Sequence, residues 1–147
     1  MSIIKVRAAL ETAALAVSPA LDTVMQSGVF TLASGTAYPG AYKPQADRPY
    51  QRLYLIPAAP DDREISANFI ERGVFQVSLF YPGFKGPGLA EARAELVRSA
   101  FYKGRTLTSG GLQTSITNVP EIGQGMEDLD RWMVPVSIRY RAEITTS

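Results

Sequence analysis

The chain has 147 residues, with 15 Lys and Arg against 14 Asp and Glu and neither cysteine nor histidine, which leaves room for one ordinary domain around one core. A formal charge of +1 without blocks of either sign argues against a nucleic-acid footprint and against steering by a strongly charged partner. Disulfides, thiol nucleophiles and thiolate metal sites are excluded, and the commonest neutral metal ligand and general base is missing; the expectation is a protein with no cofactor and no metal that is not an enzyme.

At the N-terminus, MSIIKVRAALETAALAVSPAL is apolar in runs that Lys5, Arg7 and Glu11 interrupt. No stretch reaches the roughly 20 apolar residues that cross a bilayer, and Glu11 stands where a signal peptide would need its hydrophobic region. A protein made and used in the cytoplasm, away from the membrane, is expected. Ile3, Val6, Leu10, Ala13, Ala14 and Val17 recur at helical spacing and predict a first helix over 3–17, with Ser2 as a cap and Ser18-Pro19 as its end. Ala20 to Gln26 reads as a further short turn of helix.

From Gly28 to Pro49 the composition changes to GVFTLASGTAYPGAYKPQADRP. A stretch this long with little periodicity predicts either a functional loop that orders on a partner or an irregular surface loop pinned by Tyr38 and Tyr42. YQRLYLIP, 50–57, predicts a strand with Leu53 and Leu55 opposite Arg52, Tyr54 and Ile56. AAPDDRE, 58–64, is a polar connection, and ISANFIERG leads into the next strand either as a hairpin partner or as a wide loop.

Residues 73–104, GVFQVSLFYPGFKGPGLAEARAELVRSAFYKG, read as strand, turn and helix in succession. Phe75, Val77, Leu79 and Tyr81 share one strand face, and Pro82 closes it. A helix beginning near Gly88 or Leu89 is expected to bury Leu89, Ala92, Leu96, Val97, Ala100 and Phe101, leaving Glu91, Arg93, Glu95 and Arg98 wet. The two form a two-layer core. Gly104 and the TSGG of 108–111 are turn material, Leu112 to Val119 alternates weakly, and PEIGQGMEDLD, 120–130, reads as a loop. The last strand has the cleanest pattern: Trp132, Val134, Val136, Ile138, Tyr140, Ala142 and Ile144 on one face. Pro135 predicts that this strand is an edge or carries a bulge, and so long an edge would need covering, for instance by a neighbouring subunit.

None of the candidate sites reads as catalytic. GFKGPG, 83–88, lies between strand and helix but has the spacing of neither a dinucleotide fingerprint nor a phosphate-binding loop, and Pro87 lacks a backbone donor. A structural crossover turn is expected there. Glu91 with Glu95, and Glu127, Asp128 and Asp130, are surface carboxylates without the spacing of a calcium loop. Arg139 and Arg141 either pair with carboxylates of a neighbouring subunit, which the guanidinium fork suits, or keep the strand face soluble.

Together, PYQRLYLIPA (49–58), GVFQVSLFYPGFKGPGLAEARAELVRSAF (73–101) and WMVPVSIRYR (132–141) resemble the small tail terminator proteins of long-tailed bacteriophages and prophages. The resemblance covers most of the chain. It implies an α+β domain over 1–147, with two helices packed on a mainly antiparallel sheet of four to five strands and a long loop at about 28–49. It further implies a homo-oligomeric ring, typically a hexamer, that caps the tail tube, ends tube polymerisation and offers a head-joining surface. The implied partners are the tail tube protein and a head-completion or neck protein, with no sequence-specific nucleic-acid binding and no membrane. The implied locations are the host cytoplasm during assembly and then the virion tail. Tyr38, Tyr42, Arg139 and Arg141 are the residues expected at a subunit or tube interface. Two rival readings remain: a hot-dog-like thioesterase or dehydratase using Glu91 or Glu95 in an apolar tunnel, and an adaptor whose sheet edge captures a peptide.

Overall fold

The computed structural model describes residues 2–26, 28–44, 48–60, 68–83, 87–128 and 130–144. In chain order the elements are α1 (Ser2–Leu15), β1 (Asp22–Val24), β2 (Val29–Thr31), β3 (Ala37–Pro39), β4 (Tyr50–Pro57) and β5 (Phe69–Pro82). There follow α2 (Gly88–Ala100), β6 (Thr106–Ser109), β7 (Leu112–Ile116), β8 (Glu121–Ile122), β9 (Met126–Asp128) and β10 (Arg131–Ile144). The expected cap from Ser2 concerns a side chain outside those described.

The expected sheet of four to five strands is instead one mixed sheet of ten, in the order β3-β2-β1-β4-β5-β10-β7-β6, with β8 and β9 also paired to β10. The protein is mostly β. Five of these strands have two or three residues each, too few to write a period-two pattern into the sequence. They form because a longer neighbour supplies the ladder. Thus Asp22–Val24, expected as helix, lies parallel to β4 with Asp22 opposite Tyr50. The expected 28–49 loop contains the β2–β3 hairpin, with Val29 opposite Pro39. The expected 120–130 loop contains β8 and β9. Within the segment read as turn, Thr106–Ser109 is a strand, and the turn is Gly110-Gly111, both at positive φ, 56° and 81°, the conformation a two-residue hairpin demands.

β5 and β10, fourteen residues each, pair antiparallel from Arg131 opposite Pro82 to Ile144 opposite Phe69. The open question about ISANFIERG resolves, for residues 69–71, as the start of β5 itself; 65–67 lie outside the described residues. Leu53, Leu55, Phe75, Val77, Leu79, Val134, Val136, Ile138 and Tyr140 fall on one sheet face and are buried. Both helices pack there: α1 against β5, β6 and β7, and α2 against β5, β8 and β10, in one continuous core. Among the described residues the opposite face has no helix.

β10 is not an edge, contrary to the expectation raised by Pro135. It is flanked by β5 on one side and by β9, β8 and β7 in series on the other. Pro135 is tolerated because its carbonyl accepts from Gly123 N at 2.8 Å. The nitrogen and carbonyl of one antiparallel residue face the same neighbour, so the missing N–H points at the gap between β9 and β8 and leaves the β5 ladder intact.

α2 spans almost the predicted residues but is rotated. It buries Ala90, Arg93, Ala94 and Val97, while Leu89 and Leu96 are 52% and 45% exposed. The small Ala90 and Ala94 let the helix axis lie close to the sheet. Arg93, expected in solvent, reaches the segment that follows α1 and donates to the carbonyls of Val17, at 3.4 Å, and Pro19. Burial lowers its pKa from the usual value; those carbonyls hold the two terminal nitrogens, while the buried Nε has no hydrogen-bond partner among the described residues.

Candidate assembly surfaces

On the helix-free face, the corner made by β1–β3 and the start of β4 carries a row of rings. Phe30 stacks on Tyr38 at 5.7 Å, Tyr42 meets Phe30 at 5.5 Å and Tyr50 at 5.2 Å, and Tyr50 stacks on Phe80 at 4.7 Å. Arg131 lies over the Tyr50 ring at 5.2 Å, a cation–π contact. Of the two tyrosines expected at an interface, Tyr38 is 45% exposed. Tyr42 is half-buried by an internal tie, its hydroxyl donating to Asp22 Oδ2 at 2.6 Å. Burial, then that hydrogen bond, raises the Tyr42 pKa well above the usual phenol range.

Asp22, only 3% exposed, is the hub of the corner. Besides Tyr42, it accepts from Arg48 Nη2 at 3.0 Å and from Ala33 N at 2.9 Å, so one carboxylate ties the β2–β3 turn and the segment after β3 onto β1. Charge-assisted bonds of this kind are the stronger ones. Sequence reading missed Asp22 because a lone acid in a segment taken for helix gives no signal; the Tyr42 and Arg48 that hold it are 20 and 26 residues away.

Arg139 and Arg141 are exposed at the far end of the same face. The register sets Arg141 opposite Arg72 and Arg139 opposite Val74, with Val74 next to Ile56. These side chains, with Ile70 and Thr117, line an open groove of about 420 Å³. Arg141 pairs with Glu143 at 3.0 Å, and Arg72 Nε donates to the Ala59 carbonyl at 3.0 Å. Arg139 pairs with no carboxylate among the described residues. The structure therefore brings Tyr38 near Tyr42 and Arg139 near Arg141, and keeps the two pairs at separate places on the sheet. Arg72 was missed; only the register with β10 reveals its place.

Glu91 and Glu95 line an open groove of about 250 Å³ between α2 and the β8–β9 segment, and the Glu95 side chain is 64% exposed. Neither is enclosed in an apolar tunnel, the requirement of the thioesterase reading. The rest of the acidic segment, Glu127, Asp128 and Asp130, is exposed as well. Among the described residues no group of three or more Asp or Glu is placed to hold a metal, and no helix is long and apolar enough to cross a membrane. Residues 84–86 of the GFKGPG turn lie outside the described residues; Gly83 N, at its start, donates to the Asp130 carbonyl at 2.9 Å.

What this fold gathers is open surface carried on a stiff sheet. A family model described as phage tail terminator protein matches residues 5–140, and the chain belongs to that family, as the sequence resemblance implied. The family is a structural one: its members serve in phage tail assembly, their contacts lie within the tail, and their place is the virion tail. One solved structure is 28% identical and superposes with a TM-score of 0.72, covering 97% of this chain and 96% of that one. A search of curated proteins returned no match.

Proposed function

We propose that copies of this chain close into a ring, a hexamer, that caps the completed tail tube, stops further polymerisation and offers the surface to which a head-completion or neck protein joins. The ring assembles in the host cytoplasm and remains in the virion tail. The observation that carries this reading is the family match along residues 5–140. Two surfaces support it: the exposed end of the helix-free face around Arg139 and Arg141 is proposed as a subunit interface, and the hairpin corner with Tyr38 and Tyr42 as the contact with the tube or the adjacent subunit. A cap must be rigid and present geometry, not chemistry. A ten-stranded sheet spanning the chain meets that need.

Native mass spectrometry of the purified chain, alone and with its cognate tube protein, tests this. A closed oligomer of one size is expected, at high concentration or once tube protein is added. A strict monomer under both conditions would overturn the proposal.

A further inference from the structure

A net charge of +1 conceals a segregation that only the fold makes visible. At one end of β10, on the helix-free face, Arg72, Arg139 and Arg141 surround Ile56, which is 50% exposed, and Val74. At the other end, on the helix side, the exposed carboxylates Glu91 and Glu95 of α2 line a groove with Ile122 and Val134, and the exposed Glu127, opposite Trp132, stands on the same sheet face. The basic side chain of that groove is Arg98, already committed to Glu95 at 3.6 Å and to the Pro120 carbonyl at 3.1 Å.

The two patches cannot neutralise each other within one molecule. From Trp132 to Tyr140 the strand advances about 27 Å, against a screening length of about 8 Å at physiological salt, and the patches face opposite sides of the sheet. They are complementary in charge, arginines around Ile56 and Val74 on one and carboxylates beside Ile122 and Val134 on the other, and each holds one opposite charge already paired internally, Glu143 with Arg141 and Arg98 with Glu95. The α2 groove offers carboxylates to a planar guanidinium fork, and Arg139 presents one that pairs with no carboxylate among the described residues.

We infer that these are the two halves of one head-to-tail interface, in which the arginine face of each copy docks on the α2/β8–β9 groove of the next. The inference rests on the ring reading and adds which surfaces meet. A heterologous contact of this kind closes into a ring when its rotation permits. A phosphodiester backbone is the poorer occupant of the arginine face, because Ile56 and Val74 sit at its centre with nothing apolar to receive them.

Charge reversal tests the pairing on the full chain, by native mass spectrometry under the conditions in which the wild type assembles. Arg139→Glu with Arg141→Glu, or Glu91→Lys with Glu95→Lys, each sets like charges together, and each double variant alone is expected to lose association by roughly tenfold or more. Mixing the two variants makes every junction complementary again in an alternating ring, so an even-numbered oligomer returns; one chain carrying all four changes also assembles. Wild-type rings with variants that still assemble, or a mixture that fails to recover, would overturn the pairing and leave the ring reading standing. No ring from the wild type with tube protein would remove the ring reading itself. Loss of binding to a labelled DNA duplex in the arginine variant, with assembly unchanged, would reassign that face to nucleic acid and overturn the inference. Should a reversal unfold the chain, Ile56→Ser in the arginine face serves instead: association is expected to fall several-fold, and unchanged association counts against the interface.

Discussion

The β5–β10 ladder and the β1–β3 corner belong to one sheet and are held by different physics. The ladder pairs fourteen residues with fourteen, and Phe75, Val77, Leu79, Val136 and Ile138 are almost wholly removed from water beneath two helices. The corner has three residues per strand, and β3 is exposed throughout. What holds it is polar and aromatic: the Asp22 hub, the Gln51 amide donating to Thr23 Oγ1 at 3.0 Å, and the row from Tyr38 to Phe80. Burial is cooperative and spread over many side chains, so damage to the ladder should be global. A hub fails locally.

The largest effect should come where the ladder tolerates no side chain. Gly73 lies opposite Tyr140, and a Cβ there would stand 2.5 Å from the Ile56 carbonyl oxygen and 2.7 Å from the Tyr140 hydroxyl. Gly73→Ala must push backbone away from backbone. It is expected to cost about 3 kcal/mol in chemical denaturation, with protection lost along both long strands; an unchanged midpoint would show that the ladder has slack.

Asp22→Ala probes the corner. It strands the Ala33 N–H and the Tyr42 hydroxyl, and the expected cost is about 2 kcal/mol. Hydrogen exchange should quicken across Val29–Pro39 and stay unchanged in β5 and β10. Equal acceleration in both regions would dissolve the distinction between them.

The smallest effect is expected inside the ladder, from Tyr140→Phe. The Tyr140 hydroxyl is buried without a hydrogen-bond partner among the described residues, so removing it should stabilise by about 1 kcal/mol. Burial, with the nearby Glu71 charge, pushes this phenol from 10.0 up to about 12. A raised phenol favours the folded state below pH 10, and that contribution is lost as the pH climbs toward 12. The variant should therefore lose less stability across pH 10 to 12 than the wild type. Tyr42 and Tyr81, also raised by burial, retain part of the slope. An identical pH profile would mean that the hydroxyl is solvated.

Much of the ladder was legible in the sequence, because long strands with one face buried must alternate: 50–57 and the faces of β5 and β10 follow from period two alone. α2 was legible in extent and misread in orientation. Leu89, Ala92 and Leu96 form one helical row, and Ala90, Ala94, Val97 and Phe101 another. Choosing the bulkier row and treating Arg93 as wet pointed the helix the wrong way. Size and charge mislead where close approach favours alanine and where carbonyls from a distant segment draw a guanidinium inward. The corner was illegible for another reason: three-residue strands carry no period, and the Asp22 hub is assembled from residues far apart in the chain. The same holds for the surfaces. Arg139 and Arg141 were visible on their strand, but Arg72 and Ile56 join them only through register.

The comparison also bears on function, since a rigid ladder carrying differently built surfaces at its ends suits a component that acts by fitting between others. Electron microscopy of tail tubes polymerised from the cognate tube protein in the presence of this chain tests that most directly. The account predicts tubes that stop growing and carry a ring of this protein at one end. Tubes that lengthen as if it were absent, with no density added at either end, would contradict it.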